Sequence, residues 1–399
     1  MNAEDAGAAK VWRATLDALA DQQLGRRLRT LDSPQGATVR AEGRTLANFS
    51  SNDYLGLAAH PALAEAAARA ARDHGFGSGA SRLVCGSLAP HAGLEERIAA
   101  FKGTTAALTF ACGYTAALGV IPALAGRGDA VILDKRAHAS LVDGARLSGA
   151  VLRVFQHNNV AQLRSHLRWA RRTLPRGQVL VVTESVFSMD GDRAPLADLV
   201  LAKEEHGATL LVDEAHALGV VGPGGRGLAA ELGLADRIDV QMGTLGKAVG
   251  AAGGYVCGSR TLVELLVNRA RSFIFSTAPP APVVAAAQAG LELLASEEGD
   301  RRRNRLWRNI ARLTAVVPGA PALPESAIVP WILGREPAAL DQAAALETAG
   351  FLAPAIRFPS VARGAARIRF TVSAVHTTAQ IGALGAAIAK ATPQSESVV

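Results

Sequence analysis

The centre of this chain alternates short apolar runs with helix-forming stretches, and that rhythm leaves few folds open. Apolar runs of strand length fall at Ala106–Ala111, Ala130–Leu133, Val151–Phe155, Val179–Thr183, Thr209–Val212, Asp239–Met242 and Gly254–Val256. Helical stretches lie between most of them, for example Gln162–Leu174 and Leu196–His206. Apolar runs alternating with helices predict an α/β fold whose large, mostly parallel sheet is covered by helices on both faces. Such sheets collect ligands beyond the carboxyl ends of their strands. That rule nominates the residues just after each run.

The flanks read differently. Residues 10–30 predict an amphipathic helix with apolar Val11, Leu16, Leu19 and Leu24 among charged neighbours, and residues 61–73 predict an Ala-rich helix. From about residue 290 an Arg-rich helical stretch, Gly290–Val316, leads through a Pro-rich segment to IVPWIL, a helix near 337–349, and IRFTVSA at 368–374. These pieces predict a smaller C-terminal α/β domain. The expected division is an N-terminal helical arm at 1–48, a large domain at 49–289 and a small domain at 290–399. The tail ATPQSESVV is expected to fray.

Composition narrows the function classes. With 49% hydrophobic and 19% charged residues, the 399-residue chain has ample core material, yet no apolar run reaches the roughly 20 residues of a membrane helix. The start carries Glu4 and Asp5 ahead of Lys10 and lacks the basic-then-apolar layout of a secretory signal, so a cytoplasmic location is expected. Cys85, Cys112 and Cys257 are far apart and imply neither a disulfide framework nor a zinc site. Lys and Arg exceed Asp and Glu by seven, but the 5% aromatic content and the absence of a recognition motif argue against nucleic acid. A phosphorylated small molecule fits the same basic balance.

The strand ends supply Asp134 with His138, Glu184 with Ser188, Asp213 with His216, and Thr244 with Lys247; Cys112-Gly113-Tyr114 opens a helix after the first run. A carboxylate at Asp213 can keep a ring nitrogen protonated and make the ring an electron sink. Taken alone, it reads more readily as a helix cap, with His216 on the surface. Lys247 lies among small residues in GTLGKAVGAAGG (243–254), where a planar ligand could approach its amine; alone it is also compatible with a surface lysine. Gly113 offers backbone N–H groups to a phosphate, or is a plain tight turn. GPGGRG (222–227) matches a dinucleotide spacing but carries Pro223 within the turn, and reads as a mobile loop. Scattered histidines such as His60, His74 and His157 read as structural or exposed.

Taken together and in order, FSSNDYLGL (49–57), GSGASRLVCGS (77–87), HAGLEERIAAF (91–101), DKRAHASL (134–141), TESVFSMDGDRAPL (183–196), VDEAHALGVVGPGGRG (212–227) and GTLGKAVGAAGGY (243–255) resemble the α-oxoamine synthases. These are fold type I pyridoxal-phosphate (PLP) enzymes, and the resemblance runs from about Leu16 to Thr377. It implies that Lys247 is the Schiff-base lysine and general base, that Asp213 partners the pyridine nitrogen, and that His216 partners the ring hydroxyl. It implies that His138 stacks on the ring, orients the substrate carboxylate and takes part in catalysis, and that Gly113, Tyr114, Thr244 and Ser188 contact the phosphate or ring. Arg26 and Asn52 match substrate-side positions. Ser276 and Thr277 match a segment that reaches the neighbouring subunit's phosphate, which implies a homodimer with shared active sites.

The stretch AIRFPSVARGAARIRFTVSAVHT (355–377) resembles the branch of the family that joins L-alanine to pimeloyl-CoA or a pimeloyl carrier protein in biotin synthesis. There Arg357 and Ser360 match substrate contacts, and a guanidinium fork at Arg369 suits the amino-acid carboxylate. Phe358, Ala362, Arg363 and Ala365 depart from that branch's pattern, at the acyl end of the site. The rival readings are condensation of glycine with acetyl-CoA or succinyl-CoA, an aminotransferase of the same fold, and a non-catalytic protein that retains the fold.

Overall fold

A computed structural model describes residues 7–391. Its strands are β1 (Thr38–Ala41), β2 (Arg44–Asn48), β3 (Ala106–Phe110), β4 (Ala130–Asp134), β5 (Val151–Phe155), β6 (Val179–Glu184), β7 (Thr209–Asp213), β8 (Val240–Thr244), β9 (Gly254–Gly258), β10 (Ile328–Gly334), β11 (Phe351–Leu352), β12 (Ala355–Ile356) and β13 (Ala366–Thr371). The seven runs of the sequence become the seven strands of one sheet, in the order β3-β9-β8-β7-β6-β4-β5. Six of these strands point the same way, and β9 runs against them between β3 and β8.

The two faces of this sheet build two cores. Ala130, Ile132, Val181 and Val212 pack into one, while Val131, Leu133, Val182 and Leu211 pack into the other. Alternate side chains of a strand point to opposite faces, so a run apolar at every position must be covered twice. The helix Gly113–Leu124 covers one face; the helices Val160–Thr173 and Leu196–Glu205 cover the other. At the sheet edge, β5 leaves Val151 and Val154 exposed.

Two small sheets complete the fold. β10, β12 and β13 pair antiparallel, flanked by the helices Glu336–Thr348 and Thr378–Ala391. The hairpin β1–β2 is extended by β11, with Phe351 opposite Ala47, so segments far apart in the sequence share a sheet.

The structure departs from the sequence expectations in three places. Helix covers Ala8–Asp21 rather than 10–30, and residues 38–48 form a hairpin. The hairpin's partner lies three hundred residues away, where no local periodicity could reveal it. The stretch Gly290–Val316 is two helices, Ala281–Leu294 and Glu297–Thr314. Ser296 starts the second by accepting the Gly299 N–H, and a Cβ at Gly299 would lie 2.3 Å from the Leu294 carbonyl.

Glu4, Asp5 and residues 392–399, with the expected frayed tail, lie outside the described residues. Among the described residues, no helix is long and apolar enough to cross a membrane, and no cluster of His, Cys, Asp and Glu could hold a metal. Cys85, Cys112 and Cys257 are all free thiols.

Candidate active site

The ladders align the ends of the central strands. Glu184 on β6 sits opposite Asp213 on β7, and Asp213 opposite Met242 on β8. The residues that follow therefore meet at one rim. Lys247 is carried by a turn after β8, in which the Gly250 N–H bonds the Lys247 carbonyl at 2.9 Å. Gly250 has φ +77°, and a Cβ there would strike the Leu57 backbone at 2.5 Å. Only glycine lets this turn lie against segment 49–58. Asp53 fixes that segment by accepting the N–H groups of Leu57 and Ala58 at 2.8 and 3.1 Å.

A continuous hydrogen-bonded chain crosses the rim. Lys247 Nζ lies 2.7 Å from His216 Nε2, and His216 Nδ1 lies 2.7 Å from Tyr54 Oη. Tyr54 donates to Asn52 Oδ1 at 3.2 Å, and both terminal nitrogens of Arg369 reach the same oxygen at 3.3 Å. Arg369 Nε donates to the Ser188 carbonyl. One set of protons satisfies every contact. A Lys247 ammonium donates to Nε2, a neutral His216 donates from Nδ1, and Tyr54 passes its proton to Asn52. Burial, with Lys247 and Arg369 nearby, holds His216 well below its usual pKa and keeps it neutral.

Lys247 itself is pushed down to about 8, chiefly by burial, while Asp213 and Glu184 oppose the shift. Its neutral amine is then available as a nucleophile or base near physiological pH. Burial pushes Asp213 up from the usual carboxylate range, with Lys247 opposing. Its Oδ1 accepts the Ala215 N–H at 2.9 Å. Glu184 is raised further still, by burial and by the charge of Asp213, and its Oε1 is a buried oxygen without a hydrogen-bond partner. Two buried carboxyl groups facing one lysine form a site that favours an added cation.

The other end of the rim carries a helix N-terminus. The helix Gly113–Leu124 begins directly after β3, and its first N–H groups carry the positive end of the helix dipole. A Cβ at Gly113 would press on Thr244 Cβ at 3.4 Å. Thr244 Oγ1 holds the Gly253 carbonyl at 2.9 Å and takes the Gly246 N–H at 3.1 Å. Tyr114 is exposed and donates to Asp143 at 2.5 Å. His138 caps the helix Ala139–Ser148, with Nδ1 2.8 Å from Ser140 Oγ. Burial lowers its pKa, so its neutral ring can stack on a flat ligand.

Other nominated residues stand apart from this chain. Arg357 donates to the carbonyls of Gln23 and Gly25, which ties the loop after β12 to the exposed segment bearing Arg26. Ser360 is exposed and closes a turn on the Arg357 carbonyl at 3.0 Å. The Arg363 guanidinium lies 4.6 Å from the Phe358 ring centroid. Ser276 and Thr277 lie by a bridge from Thr277 to Ser81. Loop 222–227 is anchored from below: Glu214 is buried with Lys102, takes the Ala229 N–H at 2.9 Å, and fills the space a Cβ on Gly227 would need. Tyr54 lies within 49–57 and Glu214 within 212–227, but nothing in the local sequence marks either as part of the site. Lys102 directly follows the segment 91–101.

An amine, a buried carboxylate, an imidazole and a helix N-terminus on one rim are groups that suit a planar phosphorylated aldehyde. The description Aminotransferase class I and II matches residues 44–388. The chain belongs to the class I and II aminotransferase family. Within it, the chain is 51% identical to the 8-amino-7-oxononanoate synthase of Anaeromyxobacter dehalogenans strain 2CP-1, over 95% of each chain. Identity to the Geobacter sulfurreducens 8-amino-7-oxononanoate synthase is 48%, over 94% of this chain and 96% of the other. Among solved structures of the family, a serine palmitoyltransferase from S. paucimobilis carrying a PLP–myriocin aldimine superposes with a TM-score of 0.89 at 32% identity, covering 96% of this chain and 97% of that one. The 8-amino-7-oxononanoate synthase of Francisella tularensis superposes with a TM-score of 0.72 at 28% identity, covering 86% and 97%.

Proposed function

We propose that this chain is a PLP-dependent acyltransferase that condenses L-alanine with a pimeloyl thioester, releasing CO₂ and the free thiol and forming 8-amino-7-oxononanoate for biotin. The observation that carries the reading is the chain from Lys247 to Arg369. Through His216, Tyr54 and Asn52 it links the Lys247 amine to the Arg369 guanidinium, a fork that suits a carboxylate. The 51% identity to an 8-amino-7-oxononanoate synthase over 95% of the chain supports this reading over that of the serine palmitoyltransferase from S. paucimobilis, to which identity is 32%.

The residues present fit the cofactor. Asp213 offers a buried carboxylate to a pyridinium, His216 a neutral imidazole to the ring hydroxyl, and His138 a ring face. The N–H groups at Gly113 and Tyr114, with Thr244, would hold the phosphate, and Ser188 would add a contact. When bound, PLP supplies an electron sink for negative charge at the amino acid's α-carbon. Lys247 Nζ would hold the cofactor covalently, and its free amine would take the amino acid's α-proton. Arg369 receives the carboxylate with its fork, oriented by Asn52 and the Ser188 carbonyl. Arg26, Arg357 and Ser360 line the acyl side, where Phe358, Ala362, Arg363 and Ala365 shape the entrance.

The same reading makes the enzyme a cytoplasmic homodimer in which Ser276 and Thr277 serve the partner's phosphate. Support comes from exposed Val11, Trp12 and Leu16 on the helix Ala8–Asp21 and from the exposure of Thr277. The test is product mass spectrometry with thiol release, using L-alanine, glycine and L-serine against acetyl-, succinyl-, pimeloyl- and palmitoyl-CoA. The alanine–pimeloyl pair giving the highest kcat/KM supports the reading, and another pair leading overturns it.

A further inference from the structure

His157 follows β5 and takes no part in the chain from Lys247 to Arg369. Its Nδ1 lies 3.0 Å from Asp134 Oδ1 and its Nε2 lies 2.6 Å from Asp192 Oδ2. Carboxylates only accept, so both ring nitrogens must donate, and the ring is a cation. The His157 side chain is 15% exposed and that of Asp134 1%, while Asp192 is 35% exposed. Phe187 covers the His157 ring edge-on, with ring centroids 4.3 Å apart.

The two carboxylates belong to different parts of the site. Asp134 ends β4 and accepts the Arg136 N–H at 2.8 Å, in the turn that leads to His138. It also accepts the Asn158 N–H at 2.9 Å, with Asn158 held at φ 57°. Asp192 belongs to the loop 185–193 after β6, which carries Ser188. That loop is held on its far side by β13: Arg367 donates to Asp190 at 2.7 Å, and Arg369 binds the Ser188 carbonyl. Arg136 also reaches Asp190, at 3.1 Å. Cations and anions thus alternate across the loop, and His157 is the member between β4 and the loop.

We propose that His157 is a positioning residue: as a doubly hydrogen-bonded cation it ties the turn bearing His138 to loop 185–193, and so fixes the wall against which Arg369 receives the amino-acid carboxylate. This rests on the amino-acid condensation proposed above. Burial alone would lower the His157 pKa, but Asp134 and Asp192 reverse that and push it up to about 9. A raised histidine pKa stabilises the fold fully below the unfolded value, and the contribution is lost as pH rises through about 9. Asp134 and Asp192 face the ring directly; Arg136, Asp190 and Arg367 are the next charges out.

The test uses the full-length holoenzyme. Long-range proton–nitrogen NMR should show both His157 nitrogens protonated near neutral pH, with the proton leaving near pH 9. Asp192→Asn, at a partly exposed rim position, should lower that midpoint. In Asp192→Asn and His157→Gln, KM for L-alanine should rise about tenfold while kcat changes little, as the loss of one hydrogen bond at a binding wall predicts. The wild-type KM should climb as pH passes 9, and at a lower pH in Asp192→Asn. A neutral His157 near neutral pH would overturn the proposal. So would a folded Asp192→Asn with a lowered midpoint and unchanged KM. If no amino acid and thioester pair turns over, the function proposed above fails, while the NMR midpoint still decides the state of His157.

Discussion

Tyr54 Oη stands 2.7 Å from His216 Nδ1, and that single contact joins the lysine end of the site to the arginine end. Tyr54 is fully buried, and its ring is tilted against that of His216. Its hydroxyl therefore acts as a relay with a fixed direction: it receives from the imidazole and gives to Asn52. Tyr54→Phe should leave the fold intact and strand the Nδ1–H of His216. A buried donor left without a partner costs about 1–3 kcal/mol, so kcat/KM for alanine should fall roughly 10- to 100-fold. Steady-state kinetics with a thermal melt checks this, the melt separating a lost relay from a lost fold.

The lowered pKa of Lys247 has a signed consequence for cofactor loading. Only the neutral amine attacks an aldehyde, so the rate at which cofactor-free protein captures PLP should rise with pH and level off above about 8. Asp213 opposes the shift, so Asp213→Asn should move that midpoint to lower pH even as it weakens activity. The same group sets a stability trend in the cofactor-free protein. A lysine whose folded pKa is depressed binds fewer protons folded than unfolded between about 8 and 10.5, so stability should increase with pH across that window. Stopped-flow absorbance and denaturant melts measure the two effects.

Arg369 offers a planar fork, and a lysine would offer only a point charge. Arg369→Lys should raise KM for L-alanine by roughly 10- to 100-fold while affecting KM for the thioester little, from the loss of one charge-assisted bond of about 1.5–3 kcal/mol. Varying each substrate at saturating concentrations of the other tests the asymmetry.

Lys102 and Glu214 make a fully buried pair beneath loop 222–227. Lys102→Met leaves Glu214 buried and unpaired, and should cost about 3–5 kcal/mol of stability, whereas the double change Lys102→Met with Glu214→Gln should recover part of it. Denaturant midpoints of the two variants check the sign and the recovery.

Much of this was legible in the sequence, for identifiable reasons. Strands buried on both faces write themselves as unbroken apolar runs, and all seven runs became strands of the large sheet. The carboxyl-end rule then located Asp213, His216 and Lys247 together. What stayed hidden was set by distant partners. Tyr54 meets His216 across 162 positions, and nothing around Tyr54 marks it as a relay rather than a core aromatic. The antiparallel sense of β9 depends on its neighbours β3 and β8, and the hairpin β1–β2 on β11. His157 read as an isolated histidine because its two carboxylates, Asp134 and Asp192, sit 23 positions before it and 35 after it.

The measurement that bears most directly on the proposed chemistry follows the alanine carboxyl group. The holoenzyme is given carboxyl-labelled L-alanine with and without pimeloyl-CoA, and labelled CO₂ is collected alongside the product. Condensation predicts labelled CO₂ released only with the thioester present, in equal amount to free CoA and to 8-amino-7-oxononanoate, and abolished in Lys247→Ala. Label retained in pyruvate, or CO₂ released at the same rate without thioester, would contradict it.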